Sequence, residues 1–66
     1  MQIVLNGEPR ELAPATTFSE LMAAVAPGGR RVAVEVNGEI LPRSHWSARQ
    51  LADGDRVEVI HAVGGG

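Results

Sequence analysis

Residues 17–25 read Thr-Phe-Ser-Glu-Leu-Met-Ala-Ala-Val, the one segment that carries both a helix start signal and a helical face. Thr17-Phe18-Ser19-Glu20 has the spacing of a capping box, with Thr17 as N-cap and Glu20 at the third helical position. Phe18, Leu21, Met22 and Val25 recur at i, i+3, i+4 and i+7, which is one apolar stripe. Ala23 and Ala24 favour helix by propensity, and Pro27-Gly28-Gly29 stops it. A helix with a single apolar stripe must lay that stripe on something, so the flanking segments decide the fold.

On both sides lie short alternating runs joined by Asn-Gly. Met1, Ile3 and Leu5 share one face of a strand, Asn6-Gly7 supplies a two-residue hairpin turn, and a return strand spans about Glu8 to Leu12. Pro9 cannot donate to a ladder, which places that strand at a sheet edge. After the helix, Val32, Val34 and Val36 alternate within Arg31–Val36, and Asn37-Gly38 turns into a short Glu39-Ile40-Leu41 strand ending at Pro42. Ser44 to Leu51 is irregular, with room for one helical turn; Asp53-Gly54-Asp55 turns the chain, and Arg56 to Ala62 is the last strand. Two hairpins, one crossover helix and a final Val-rich strand make an α+β chain: a mixed sheet of four to five strands with one main helix on one face. The arrangement that suits Pro9 at an edge is a β-grasp (ubiquitin-like) roll, with first and last strands parallel and central. The chain end then leaves beside the Asn6-Gly7 turn. Residues 1–63 form the expected domain and 64–66 a flexible glycine tail.

Composition excludes several function classes. At 66 residues the chain is one small domain, of a size that buries about 60% of its unfolded surface. It has no cysteine, and His45 and His61 lack metal-ligand spacing, so no metal and no bound cofactor are expected. A net charge of −2 and a single Trp and Phe give neither a basic face nor a stacking platform for nucleic acid. No run approaches the roughly 18 apolar residues of a spanning helix, and the first residues lack a signal-peptide pattern, so no membrane partner and a cytoplasmic location are expected. All six basic residues are arginine; the plainer reading is a coding bias toward Arg, Ala and Gly, and the absence of lysine also leaves no side-chain amine to capture an activated carboxyl.

Val63-Gly64-Gly65-Gly66 follows the last strand without a break and offers one reactive group, the α-carboxylate of Gly66. Three extended residues reach about 10 Å, enough to thread a narrow pocket while the body stays outside. Glycine has no Cβ, so an enzyme can close on the backbone from both sides.

These residues together resemble the ThiS family, the ubiquitin-like sulfur carriers of thiamine (thiazole) biosynthesis. The resemblance covers essentially the whole chain. It is carried by Met1-Gln2-Ile3, Asn6-Gly7, the capped helix from Thr17, Val32 to Asn37, Ile40-Leu41-Pro42-Arg43-Ser44-His45-Trp46, Leu51, Gly54-Asp55, Val57-Glu58-Val59 and Val63 to Gly66. It implies a protein co-substrate and not an enzyme. An E1-like adenylyltransferase would use ATP to adenylate Gly66, with Gly65 and Gly64 recognised as the tail. Sulfur from a donor such as a cysteine desulfurase persulfide would replace AMP, and the resulting thiocarboxylate would serve thiazole synthase. Competing readings are a related carrier for molybdopterin or tRNA thiolation, a ubiquitin-like modifier, and a β-grasp interaction module with an idle tail.

Other candidates have plainer readings beside them. Ser44-His45 with Asp53 or Asp55 resembles a nucleophile and base, but the same residues suit turns, and no catalytic residue is assigned. Val4 and Ile60 fall on the sheet face away from the helix, a docking patch for partners. Arg43, His61 and Val63 are further partner-contact candidates; Arg43 alternatively pairs with an acid, and His61 is alternatively an ordinary strand histidine. Trp46 is read as covering one end of the core. Glu35, Glu39, Asp53, Asp55 and Glu58 either solvate the second half or steer a basic partner.

Overall fold

Both Asn-Gly pairs make the turns that their chemistry predicts. In the computed structural model, which describes residues 1–28 and 31–61, Asn6 and Gly7 have φ of 50° and 83°, and Asn37 and Gly38 have 52° and 88°. Two successive positive φ values match the right-handed twist of the strands they join. The elements are β1 (Gln2–Leu5), β2 (Glu8–Glu11), α1 (Phe18–Val25), β3 (Val32–Val36), β4 (Glu39–Ile40), a 3₁₀ turn (Arg43–His45) and β5 (Arg56–His61). Their bounds fall within a residue of those expected, except that Ala62 lies outside the described residues.

The sheet order is β2-β1-β5-β3-β4, so β5 is central. β1 pairs with β5 in parallel and every other neighbour is antiparallel. This is the β-grasp roll. Pro9 sits on edge strand β2 opposite Val4. Val4 N–H is already committed to the Asp55 carbonyl on the β5 side at 2.9 Å. Val4 and Pro9 therefore form a non-hydrogen-bonded pair, and the donor that proline lacks would have faced solvent.

The helix start is fully satisfied. An α-helix leaves its first N–H groups without intrahelical partners. Glu20 N–H donates to Thr17 Oγ1 at 3.2 Å and Thr17 N–H to Glu20 Oε1 at 2.9 Å, the reciprocal capping box. Phe18 and Ser19 N–H donate to the carbonyls of Arg49 and Trp46 at 3.0 and 3.1 Å. The irregular 43–51 segment is thus the surface that receives the helix N-terminus.

The helix stripe and the inner sheet face meet in a core of Ile3, Phe18, Leu21, Met22, Val34, Val36, Trp46, Leu51 and Val57, all buried. Burying such a side chain contributes about 1.5–3 kcal/mol. Trp46 does cover the core near the short strand: it is buried, and its Nε1–H donates to the Leu41 carbonyl at 3.2 Å. Asp55 departs from expectation. It is 6% exposed, not a solvating or steering surface charge. Its Oδ2 accepts from Ala52 N–H at 2.8 Å and its Oδ1 from Asn37 Nδ2 at 3.0 Å, so the carboxylate ties the second hairpin turn to the start of β5.

Candidate functional site

The site is built around the far end of β5, because that strand leads into residues 62–66. Those residues, including Val63, Gly64, Gly65 and Gly66, lie outside the described residues. The last described residue is His61, exposed and opposite Val32 on β3. β1 stops alongside Val57, where its Leu5 pairs, and β5 runs on to His61 past the Asn6-Gly7 turn. This follows from the parallel pairing: a strand parallel to β1 leaves at the end where β1 turns back.

The open sheet face can be read row by row from the register. Pro9, Val4 and Arg56 form one row; Glu58, Glu35 and Ile40 form the next towards the β5 exit; Ile60 and Ala33 form the last. Val4 is half-buried and Ile60 exposed. They share this face as expected, but they are not neighbours. Ile60 lies four residues along β5 from Arg56, the partner of Val4, which is about 13 Å. The apolar residues near the exit are instead Ile60, Ala33 and Ile40, and Ile40 is the most exposed large apolar residue described. Its place was legible in principle. A two-residue Asn37-Gly38 turn puts Glu39 opposite Val36 and therefore Ile40 opposite Glu35, on the face away from the core.

Between these apolar positions, Glu35 and Glu58 stand directly opposite each other. Like charges so placed repel, and neither carboxylate has an ion-pair partner among the described residues.

Arg43 belongs to a different surface. Its guanidinium lies over the Trp46 ring at 4.7 Å from the centroid, lining with Ser19, Met22 and Ala26 a hollow beside α1 on the other side of the sheet. The Ser-His-Asp grouping resolves into turn chemistry. Ser44 and His45 are exposed in the 3₁₀ turn. Asp53 Oδ1 accepts from Gln2 N–H at 2.8 Å, and Asp55 is engaged as described above. Among the described residues no group of three or more His, Cys, Asp and Glu is placed to hold a metal ion, and no helix is long and apolar enough to cross a membrane.

Asn6 was legible only as a turn residue. Its side chain also reaches β5, where Oδ1 accepts from Val59 N–H at 2.8 Å. Nothing local in the sequence marks that bond, since its partners are 53 positions apart.

Known proteins of similar fold and sequence share this arrangement. The thiazole synthase of Paramagnetospirillum magneticum is 38% identical over 66 residues, and the chain spans 20% of its length. The sulfur carrier protein ThiS of Escherichia coli is 29% identical, with both chains covered in full. The crystal structure of the thiamine biosynthesis protein ThiS from Geobacter metallireducens superposes over the whole of both chains with a TM-score of 0.86 at 36% identity. The ThiS family model matches residues 3–66, from the first β1 residue that enters the core to the final glycine, and the chain belongs to the ThiS family.

Proposed function

We propose that this chain is a sulfur carrier protein of thiamine biosynthesis and that its reactive group is the carboxylate of Gly66. The observation that carries the reading is the family match over residues 3–66, which runs through the glycine tail. The fold supports it: the central strand leads directly into the tail, so the body is a handle behind a thread. Residues 1–63 are then the domain and 64–66 the part that enters other proteins.

A terminal carboxyl has a pKa of roughly 3.3–3.7, so at neutral pH Gly66 is an anion and a poor electrophile. An E1-like adenylyltransferase joins the carboxylate to AMP from ATP and releases pyrophosphate, which converts the carboxylate oxygen into part of a leaving group. A persulfide supplied by a donor such as a cysteine desulfurase then attacks the carbonyl carbon and displaces AMP, forming an acyl persulfide. A thiol cleaves its S–S bond, leaving with the donor's cysteine sulfur as a disulfide and releasing the thiocarboxylate. Thiazole synthase receives that sulfur. The chain is a co-substrate throughout, binds no cofactor of its own, and the ATP belongs to the activating partner. Matching of the entire chain to one fifth of a thiazole synthase supports that enzyme as a partner.

Gly65 and Gly64 let the enzymes close on the tail backbone. Ordering each residue costs about 1–2 kcal/mol, so the partners must also grip the body. The open sheet face is the proposed grip, with Ile60, Ala33 and Ile40 nearest the exit and Val4 further back; His61 and Val63 are proposed as further contacts by their place in the chain just before the glycines. The decisive experiment is intact mass after incubation with activating enzyme, ATP and sulfur donor. One oxygen should be exchanged for sulfur, and deletion of Gly66 should abolish the exchange. An unchanged mass with partners that thiolate another carrier rejects the reading.

A further inference from the structure

In a parallel ladder, a residue facing its neighbour donates its N–H to one residue of that strand and accepts at its carbonyl from the residue two further on. Along β5 the donors of β1 keep this pattern. Val4 N–H donates to the Asp55 carbonyl and Asn6 N–H to the Val57 carbonyl, each at 2.9 Å. The next bond in the series would run from Val59 N–H to the main-chain carbonyl of Asn6. The backbone has turned at that point, with Asn6 at φ 50°, and Val59 N–H donates to Asn6 Oδ1 at 2.8 Å. A side-chain amide oxygen has replaced the main-chain one.

The second Asn-Gly turn repeats the substitution at the other end of the same strand. The regular β3–β5 ladder ends at Val36 opposite Val57. Asn37 N–H nevertheless donates to the Arg56 carbonyl at 2.7 Å, and Arg56 N–H donates to Asn37 Oδ1 at 2.9 Å. Asn37 thus clasps β5 at its entry and Asn6 clasps it at its exit. Asparagine suits both duties, since it tolerates the left-handed region and carries a short carbonyl.

We propose that Asn6 is a positioning residue for the reaction at Gly66. By adding one rung beyond the end of β1 it holds β5 from its β1 side as far as Val59, while β3 holds the other side to His61, and so sets the direction in which the following residues are presented to the activating enzyme. This rests on the sulfur-carrier reading above. From His61, the last residue paired with β3, the chain to Gly66 can span at most about 18 Å, and a tilt at His61 is carried over that reach. Releasing Val59 leaves the end of β5 held by β3 alone, through the Ala33–Ile60 and Val32–His61 pairs, so the strand end can tilt away from the Asn6-Gly7 turn. A wider spread of exit directions lowers the share of encounters in which the tail meets its channel while the body is docked. That is a loss in capture, read as KM, and not in the chemical step once the tail is seated.

The test compares Asn6→Gly, which keeps the positive-φ turn and removes the oxygen, with Asn6→Asp, which keeps an oxygen there. Asn37→Gly loses the clasp at the opposite end, and Thr17→Ala loses the helix cap; both serve as controls for destabilisation away from the exit. Each variant is assayed at a temperature where circular dichroism shows it folded, by amide hydrogen exchange at Val59 and by steady-state thiocarboxylate formation. Asn6→Gly is expected to speed Val59 exchange and raise KM about threefold to tenfold at unchanged kcat, the effect of one net hydrogen bond. Asn6→Asp restores both, and the two controls keep the wild-type KM. If Asn6→Gly leaves Val59 exchange unchanged, or shifts KM no more than the controls, the positioning role is overturned. If the wild-type chain itself acquires no sulfur, the sulfur-carrier reading fails and takes the positioning role with it, whatever Val59 exchange shows.

Discussion

Replacing Asp55 by alanine removes the acceptor of two hydrogen bonds at the point where β5 begins. Ala52 N–H and Asn37 Nδ2 lose partners at 2.8 and 3.0 Å. Hydrogen bonds to a charged group contribute about 1.5–3 kcal/mol each. Ala52 and Asn37 are exposed residues, so water recovers part of the loss. Arg49, 3.9 Å away with a side chain 40% exposed, adds little after screening. The expected cost is about 2–4 kcal/mol. A domain of this length holds only about 3–10 kcal/mol in total, and each kcal/mol shifts the melting point by roughly 4–8 °C. Asp55→Ala should therefore melt roughly 10–30 °C below the wild type by circular dichroism. Asp55→Asn should recover little. Its single amide oxygen can serve only one of the two donors, and turning the Asn37 amide to compensate would abandon Arg56 N–H. A double-mutant cycle with Asn37→Ala should show a coupling of about 1–2 kcal/mol. An Asp55→Ala protein that melts within a few degrees of wild type, or a cycle that is simply additive, refutes the latch.

Two further outcomes follow from local geometry. Thr17→Ala breaks the capping box and should cost about 1 kcal/mol in urea denaturation, because Glu20 N–H loses its acceptor. Glu58→Gln relieves the repulsion with Glu35 directly across the β3–β5 pair; it should stabilise the fold by about 0.2–1 kcal/mol in low salt, with the gain shrinking as salt is added.

Much of the fold was legible because its signals are local. The Thr17 cap, the Phe18 to Val25 stripe and the two Asn-Gly pairs each act within a few residues, and each appears in the structure where the pattern placed it. The open face was only partly legible. Alternation put Val4 and Ile60 on one side, but alternation says nothing about distance along a parallel pair. That distance depends on the β1–β5 register, which aligns Val4 with Arg56. Ile40 was missed because the short strand was read for its turn and not for its parity. Asp55 was misread because a carboxylate in an Asp-Gly-Asp turn carries no local mark of burial.

By itself the sequence determined the elements, their order, the edge placement of Pro9 and the resemblance that points to Gly66. Each rests on backbone preferences, period or motif within a short window. The tertiary structure alone decided which groups bind β5 at its two ends. Asn6 meets Val59 and Asn37 meets Arg56 only after a parallel and an antiparallel strand have been brought beside the same central one. The same side chains that make two tight turns locally become, in the assembled sheet, extra rungs of β5. The physical reason is that an amide oxygen has one local geometry but no fixed partner, and the partner is chosen by register between segments far apart in the chain.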